Sequence, residues 1–216
     1  MSAPRRRGAS RVIVPGSPAD SRELRAQGRR TMGKLMDAGM RVFAERGYHA
    51  ARVDDIVHAA RASHGTFYLY FASKEDLLRA LAVECAGELE ALAGSVGPIG
   101  PDSNGIDELR RVLEQFTRTY RRYGPVVRAW LEGQVDDREV NRLGVRAFTE
   151  IATVLGERLR DSGAPADPAT IAALMAMLER FAYFHVSRGL DAEESTTLDT
   201  LACVVHRGFF RATAAA

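Results

Sequence analysis

The sequence predicts an all-α protein, and three observations indicate this fold class. The chain has 216 residues, of which 46% are hydrophobic, so it can bury a substantial core as one large domain or two small ones. Apolar residues recur at the three- and four-residue spacing of amphipathic helices along most of the chain. No run of β-branched or aromatic residues alternates with polar residues as it would in a strand.

Residues 1–20 predict a disordered basic arm. The arm has little to bury and carries Arg5, Arg6, Arg7 and Arg11 among Pro, Gly and Ser, so it is either solvated or a contact for nucleic acid. The first 32 residues contain no apolar run of signal-peptide length, and nowhere do about 18 consecutive apolar residues occur to span a bilayer. We therefore expect a soluble, cytoplasmic protein with no membrane partner.

A helix-turn-helix unit is predicted over residues 21–72. Its first helix starts near Ser21, includes Leu24 and ends at Gly47. One side of its second half is apolar and consists of Leu35, Met36, Gly39, Val42 and Phe43. The next, shorter helix has an apolar stripe at positions i, i+3, i+4 and i+7, formed by Val53, Ile56, Val57 and Ala60.

The third helix is predicted to begin after Ser63, whose hydroxyl can accept the backbone N–H of Thr66. Phe67, Tyr70 and Phe71 repeat at helical spacing and are expected to point inward. The other residues of this helix are expected on or near its outward face and include small, hydroxyl-bearing and aromatic side chains. They are His64, Gly65, Thr66, Tyr68 and Leu69. A helix in the major groove of DNA meets bases with its N-terminal residues, and hydroxyls, basic side chains and helix N-termini hold phosphates.

A connecting helix is predicted over residues 73–93, because Ser73 and the acidic residues after it resemble a capping box. Residues 94–105 hold four glycines and two prolines and predict a linker. Five further helices are expected in residues 106–120, 126–131, 140–159, 168–189 and 193–211. The last two of these have apolar faces formed by Leu174, Leu178, Leu201, Val205 and Phe209.

Charge is distributed unevenly along the chain. Residues 1–79 contain 15 Lys and Arg against 8 Asp and Glu, a net charge of +7, and residues 80–216 contain 15 against 20, a net charge of −5. Phosphates would attract the N-terminal third and repel the rest. Ordinary surface variation explains the split equally well by itself, but together with the helix-turn-helix it favours binding to nucleic acid.

Residues 33–82 resemble the tetracycline-repressor-like (TetR/AcrR) family of bacterial transcriptional regulators. The matching segments are FAERGY from residue 43, VDDI from residue 53, SHGTFYLYF from residue 63 and SKEDLL from residue 73. The resemblance implies a three-helix DNA-binding domain and a homodimer built on the last two helices, here residues 168–211. It also implies that residues 94–216 bind a small effector.

Carried over by position, the resemblance implies base-edge contacts from His64, Gly65, Thr66 and Tyr68 and phosphate contacts from Thr66, Tyr70 and Lys74. The rings of Tyr68 and Tyr70 are expected to pack while their hydroxyls reach the DNA backbone. The capping residue Ser63 and the basic residue Arg52 are added to these. The complete set of residues expected to bind DNA is Arg52, Ser63, His64, Gly65, Thr66, Tyr68, Tyr70 and Lys74.

Two positions depart from the family pattern. Arg52 stands where Ser or Thr usually caps the second helix, so about 1 kcal/mol of capping is lost unless Ala51 or Asp55 compensates. Arg52 could instead bind a phosphate. Arg61 stands where Gly is usual in the turn, at a steric cost if the turn needs a left-handed backbone.

A small apolar effector is expected in the C-terminal unit, near Phe116, Tyr120, Trp130, Met175 and Phe181. Methionine and aromatic residues at helical spacing more often form plain core. His185 and Arg128 are either polar groups of the pocket or surface residues. No Gly-rich phosphate loop or basic cluster accompanies the stripe, which favours an elongated or flat apolar molecule.

The sequence thus predicts a regulator that binds a palindromic operator in double-stranded DNA and is released by its ligand; a ligand-dependent activator is the alternative. A non-specific architectural protein would be basic throughout. An enzyme is not expected, because the five histidines lack metal-site spacing and neither G-x-S-x-G nor a Walker motif occurs. Cys85 and Cys203 are expected to be buried hydrophobic residues, so no cofactor, metal site or catalytic site is predicted.

Overall fold

The computed structural model describes residues 26–133, 136–187 and 193–210. Within these ranges the chain forms eight helices and no strand, which confirms the all-α prediction. The basic arm predicted over residues 1–20 and the predicted start of the first helix, including Leu24, lie outside the described residues. None of the described helices is long and apolar enough to cross a membrane.

The N-terminal unit consists of three helices: α1 (Ala26–Arg46), α2 (Val53–Ala60) and α3 (His64–Tyr70). Gly47 ends α1 with a φ angle of 75°, a left-handed conformation that glycine adopts without steric penalty. The residues expected to point inward do so, and Phe43, Ile56 and Phe67 are almost completely buried. The apolar spacing therefore identified the inner face of each helix.

Helix α4 (Lys74–Ser95) connects the two units and belongs to the core of both. The Ser73 hydroxyl accepts the backbone N–H of Asp76, as the capping pattern predicts. Near its start, Leu77 packs so tightly on α1 that a Cβ atom at Gly39 would lie 2.5 Å from the Leu77 Cδ2 atom. Near its end, Leu92 is buried in the C-terminal core.

The predicted linker is a structured loop packed on the C-terminal unit. Val96 and Ile99 are buried in the core of that unit. His206 donates from Nε2 to the Gly100 carbonyl oxygen at 2.8 Å, which holds the loop from the other side. A Cβ atom at Gly105 would lie 2.0 Å from the same oxygen, so the helix that follows starts in direct contact with this loop.

Helix α5 (Ser103–Leu131) continues through the predicted stop at Gly124 and Pro125 with a kink. Tyr123 has φ −116° and ψ 15°, outside the helical region. Proline removes one backbone hydrogen bond and its ring displaces the preceding turn, which explains a bend at this point. The two helices predicted on either side of the stop are the two arms of α5.

Three helices complete the chain: α6 (Arg138–Asp161), α7 (Pro168–Ser187) and α8 (Glu194–Phe209). Asp137 caps α6 by accepting the backbone N–H groups of Glu139 and Val140 at 2.8 and 3.1 Å. Asp167 caps α7 as predicted, with the N–H groups of Ala169 and Thr170 at 3.0 and 3.1 Å. Helix α4 packs against α5 and α6, and α8 packs along α5.

The apolar faces that the sequence assigned to dimerisation lie inside the subunit. Leu174, Leu201 and Val205 are buried, and Leu178 and Phe209 pack against the same core. The prediction is therefore wrong for Leu174, Leu201 and Val205, because the most apolar face of an amphipathic helix is buried first within its own subunit. For Leu178 and Phe209, which are half-buried, it stays a prediction. The large apolar side chains that α7 and α8 expose are Met177, Phe184 and Val204.

Candidate nucleic-acid interface and ligand cavity

Helix α3 is fixed to the N-terminal unit at its start and along its inner side. The Ser63 hydroxyl accepts the backbone N–H of Thr66 at 3.1 Å, which is the predicted cap. Phe67 and Phe71 are buried and pack against each other with ring centroids 5.7 Å apart. With its cap and its buried side both held, α3 presents one defined face outward.

The outward face of α3 has the composition expected from the sequence. His64, Gly65, Tyr68 and Leu69 are exposed, and Thr66 is half-buried with its hydroxyl 2.9 Å from the Ser63 Oγ atom. The exposed fractions of Tyr68 and Leu69 are 54% and 50%, unusually high for such large side chains. This face offers hydroxyl, imidazole and apolar groups, the kinds of side chain that contact base edges and thymine methyl groups.

Gly65 is a glycine that the fold itself does not require. A Cβ atom at this position would contact only the Ser63 Oγ atom, at an ordinary distance of 3.7 Å. Glycine inside a helix costs about 1 kcal/mol relative to alanine. Because no neighbour in the protein needs the space, the absent side chain suits close approach by an outside molecule such as DNA.

Asp54 is a residue of this surface that the sequence analysis did not identify. Its Oδ1 atom lies 2.6 Å from the His64 Nε2 atom, across the turn between α2 and α3. The carboxylate accepts from Nε2, and this orients the imidazole and leaves Nδ1 as the nitrogen available for other contacts. The inward stripe of α2 implied that Asp54 faces outward, but its distance to His64 depends on how the two helices meet.

Tyr70 and Lys74 occupy positions more internal than a DNA contact requires. The ring of Tyr70 is buried. The Lys74 ammonium donates to the carbonyl oxygens of Tyr48, His49 and Ala51 at 3.0 to 3.1 Å, so its three donors are used within the protein. The phosphate contacts of both residues stay predictions, and the observed role of Lys74 is to hold the loop before α2.

Tyr48 lies beneath this lysine and strengthens the same junction. The Lys74 ammonium lies 4.8 Å from the centre of the Tyr48 ring, and the Tyr48 hydroxyl donates to Glu75 at 3.4 Å. Burial and the nearby Glu75 carboxylate raise the pKa of Tyr48 to about 12. The loop between α1 and α2 is thereby attached to the start of α4.

The structure shows how the chain accommodates Arg52 and Arg61, the two residues that depart from the family pattern. Arg52 has no side-chain cap to offer, but the Asp55 carboxylate accepts its backbone N–H at 3.1 Å, so Asp55 compensates in part. Arg61 has φ 52° and ψ 45°, so the turn does use the left-handed conformation disfavoured for arginine. Both side chains are exposed on the N-terminal unit, where they add positive charge.

Arg79 joins the start of α4 to the start of α6. Its guanidinium lies 3.2 Å from Asp76, 2.7 Å from Asp137 and 3.3 Å from Glu139. Burial opposes ionisation of Asp137, but the hydrogen bond from Arg79 and two backbone N–H groups outweigh it and lower the pKa of Asp137. This ion cluster connects the start of α4, next to the N-terminal unit, to the start of α6 in the C-terminal unit.

An apolar cavity of about 50 Å³ lies between α4, α5, α6 and α7. Of the five residues predicted for a ligand pocket, Phe116 and Met175 line it. Trp130 lines an outer groove instead, Tyr120 borders a separate cleft next to α1, and Phe181 packs on the core and stacks on His185. The five residues predicted for the ligand pocket therefore do not line one common cavity.

The outer groove lies beside the cavity and opens to the surface between α6 and α7. It encloses about 1120 Å³, and its walls include Trp130, Phe148 and Met175. Glu179 borders both the groove and the cavity. The Tyr120 hydroxyl donates to the Glu179 carboxylate at 3.2 Å, and burial together with this carboxylate raises the pKa of Tyr120.

Within the described residues, no group of three or more His, Cys, Asp and Glu side chains is placed to hold a metal ion. Cys85 is buried in the core, as predicted, and burial raises the pKa of its thiol. Cys203 is half-buried. A thiol held neutral in this way is a poor nucleophile and metal ligand.

Residues 35–81 match the family model described as "Bacterial regulatory proteins, tetR family". Among curated relatives, the fatty acid metabolism regulator protein of Bacillus subtilis is 44% identical over 55 residues, which are 26% of this chain and 28% of the relative. The HTH-type transcriptional regulator UidR of Escherichia coli K12 is 29% identical over 147 residues, 66% of this chain and 70% of that protein. The chain thus matches about a quarter of the first relative's length and a larger part of the second.

Solved structures share the fold over most of the chain. FadR of Bacillus subtilis in complex with stearoyl-CoA has a TM-score of 0.58 at 18% identity and covers 84% of this chain and 98% of its own. PfmR of Thermus thermophilus, a TetR family transcriptional regulator, has a TM-score of 0.60 at 21% identity and covers 82% of this chain and 99% of its own. These likenesses show a common arrangement of helices.

Proposed function

We propose that this chain regulates transcription as a sequence-specific DNA-binding repressor of the tetR family that a small apolar ligand releases, since residues 35–81 match the model of that family. The proposal rests on the fixed position of α3 and on the residues of its outward face. Its cap and its buried phenylalanines hold it in place, and its outward face combines Gly65 with exposed polar and aromatic groups. A protein with this function works in the cytoplasm, where bacterial DNA lies.

The operator in this proposal is a partly palindromic duplex that a homodimer binds with one α3 helix in each major groove. Two-fold symmetry in the protein requires half-sites about 34 Å apart, or a multiple of that distance. The apolar side chains exposed on α7 and α8, Met177, Phe184 and Val204, support a dimer through these two helices. A four-helix bundle made from two helices of each subunit is a common interface of this kind.

The ligand in this proposal binds in the C-terminal unit, where the apolar cavity and the groove lie next to each other. The lining of the cavity is almost entirely hydrocarbon, which favours an elongated apolar molecule. One structure with the same fold is a complex with stearoyl-CoA, whose acyl chain belongs to that class. The ligand acts by favouring a spacing of the two α3 helices that does not fit DNA.

Coupling between ligand and DNA runs through α4 in this proposal. Helix α4 lines the cavity with Leu92 and Ala93 and carries Arg79 near the DNA-binding unit. A ligand that displaces α6 therefore acts on both ends of α4. A differential affinity of about 3 kcal/mol between the two states would weaken operator binding roughly a hundredfold.

Footprinting on the DNA upstream of the chain's own gene tests the proposed function. A regulator protects one short palindrome, whereas an architectural protein gives diffuse protection and a protein without DNA affinity gives none. Diffuse or absent protection would contradict the proposal. A transcription assay on the protected fragment then separates a repressor, which lowers transcript yield, from a ligand-dependent activator, which raises it.

A further inference from the structure

The cavity and the outer groove are separated by a thin wall formed by Phe148, Met175 and Glu179, which line both spaces. The cavity, at about 50 Å³, is much smaller than the 300 to 1,000 Å³ of common ligand sites, while the groove is large and open. Met175 has three rotatable side-chain bonds and can move aside. Displacing this wall would join the two spaces into one site that reaches from the surface to α4.

Glu179 is the one charged residue in the lining of the cavity. Its side chain is only 14% exposed. The Tyr120 hydroxyl at 3.2 Å is its one hydrogen-bond donor among the described residues, since the Arg180 Nε atom stands at 3.7 Å, beyond hydrogen-bonding distance. An ionised carboxylate can accept about four hydrogen bonds. Glu179 accepts one, from Tyr120, and its other oxygen forms a long ion pair with the exposed Arg180 at 3.7 Å, so the carboxylate can still accept from another donor.

We propose that the ligand is an apolar molecule that carries a hydrogen-bond donor, a hydroxyl or a protonated amine, and that Glu179 accepts from this donor. This inference rests on the proposed function and specifies the chemistry of its ligand. The apolar part of the ligand passes the wall at Met175 and fills the cavity, while its donor stays at Glu179. A carboxylate at the same end of a ligand is disfavoured, because it would lie beside the Glu179 carboxylate, and the cation next to it, Arg180, is 61% exposed and therefore screened by solvent.

Binding of three probes with the same tail tests this inference on the full-length protein. Dodecylamine, dodecanol and dodecanoate differ only in the group that would meet Glu179, and each is titrated below its micelle concentration by calorimetry. We expect the amine and the alcohol to bind about tenfold or more tightly than the carboxylate. Equal affinities for all three, or no binding by any of them, would overturn the inference.

Two variants separate ligand recognition from a purely structural role of the Tyr120–Glu179 pair. Glu179→Gln keeps the size and can still accept from Tyr120, but it removes the charge, so the preference for amine over carboxylate should fall about tenfold. Tyr120→Phe removes the internal hydrogen bond and should leave that preference intact. Glu157→Gln, the same change on the exposed side of α6, is the control and should behave as wild type.

Operator release is measured separately with the same probes. Selective binding that depends on Glu179 without release from DNA would support the inference and contradict the proposed release by ligand. If instead the amine and the carboxylate release the operator at equal concentrations, in both wild type and Glu179→Gln, the proposed release by ligand is supported and the inference about Glu179 is contradicted. A preference that survives unchanged in Glu179→Gln would also overturn the inference.

Discussion

Thr66 and Tyr68 carry hydroxyl groups on α3, the helix proposed to meet bases and phosphates in the major groove. Thr66→Ala or Tyr68→Ala should weaken binding to the operator by about 1 to 3 kcal/mol per half-site, because each would remove a predicted contact with DNA and leave the fold intact. Titration at fixed salt measures the loss. Thr153→Ala, an equivalent change on α6, should bind as wild type does, and wild-type affinity in both α3 variants would show that another surface binds DNA.

Arg52 is exposed and near the start of α2, with only its backbone held by Asp55. If its side chain contacts a phosphate, Arg52→Ala should weaken binding to operator and to random DNA alike. The plot of log affinity against log salt concentration should then become shallower by about one unit. Arg207→Ala removes the same charge from α8 and should leave the slope unchanged; an unchanged slope in Arg52→Ala as well would remove Arg52 from the interface.

Lys74 has a different expected effect, because its three donors are bound to backbone carbonyls. Lys74→Met should lower the free energy of unfolding by about 1 to 3 kcal/mol by leaving those oxygens without a charged donor. Urea unfolding measures this change, and Lys34→Met on the exposed side of α1 is the matched control. Unchanged stability together with a shallower salt dependence would instead support the phosphate contact.

Among the helices, α4 and α6 are joined at their starts by the ion pair between Arg79 and Asp137. The pKa of Asp137 is lowered in the folded state, so its stabilising effect is complete above its ordinary pKa of 3.8 and is lost as the pH falls through the lowered value. Arg79→Ala should therefore be less stable than wild type at pH 7, by about 1 to 2 kcal/mol for a partly exposed cluster. The difference should narrow below about pH 4.

Denaturant unfolding of wild type and Arg79→Ala between pH 2 and pH 7 would measure this narrowing. Arg118→Ala breaks an exposed ion pair with Glu114 within α5 and serves as the control, with little expected loss at any pH. A stability difference for Arg79→Ala that stays constant down to pH 2 would show that the ionisation of Asp137 does not contribute. The same variant should also change how strongly ligand affects DNA binding, since it removes the ion pairs between the starts of α4 and α6.

For the molecule as a whole, the proposed dimer interface is tested by Val204 and Val205, neighbours in α8 of which one is exposed and the other buried. Val204 is 50% exposed and Val205 is fully buried. Val204→Glu should give a folded monomer with weak affinity for the full operator, because it places a charge in the proposed dimer interface. Sedimentation measures the mass and circular dichroism the fold; a folded, dimeric variant would place the interface elsewhere.

Val205→Glu is the matched variant in which the charge enters the core of the subunit. An unpaired carboxylate there costs several kcal/mol, so this variant should lose its folded structure rather than only its partner. A folded monomer from Val205→Glu and a dimer from Val204→Glu would support the face that the sequence first indicated. The structure predicts the opposite pair of results.

Features whose partners lie within one or two helical turns could be predicted from the order of the residues. The caps at Ser63, Ser73 and Asp167 and the inward face of α3 are confirmed, because a cap acts over three residues and an apolar stripe over seven. The resemblance to the family extended the prediction to the whole of residues 33–82. The exposed residues of α3 could be predicted as well, because they are the residues of that helix that do not belong to its buried apolar stripe.

Contacts between groups far apart in the chain could not be predicted in this way, because they depend on how the helices pack. Lys74 binds carbonyls 23 to 26 residues away, and Arg79 pairs with Asp137 across 58 residues. The predicted pocket residues proved to lie in separate spaces, and the most apolar sides of α7 and α8 turned inward. The spacing of residues shows which side of a helix is apolar, but what covers that side depends on the packing of all the helices together.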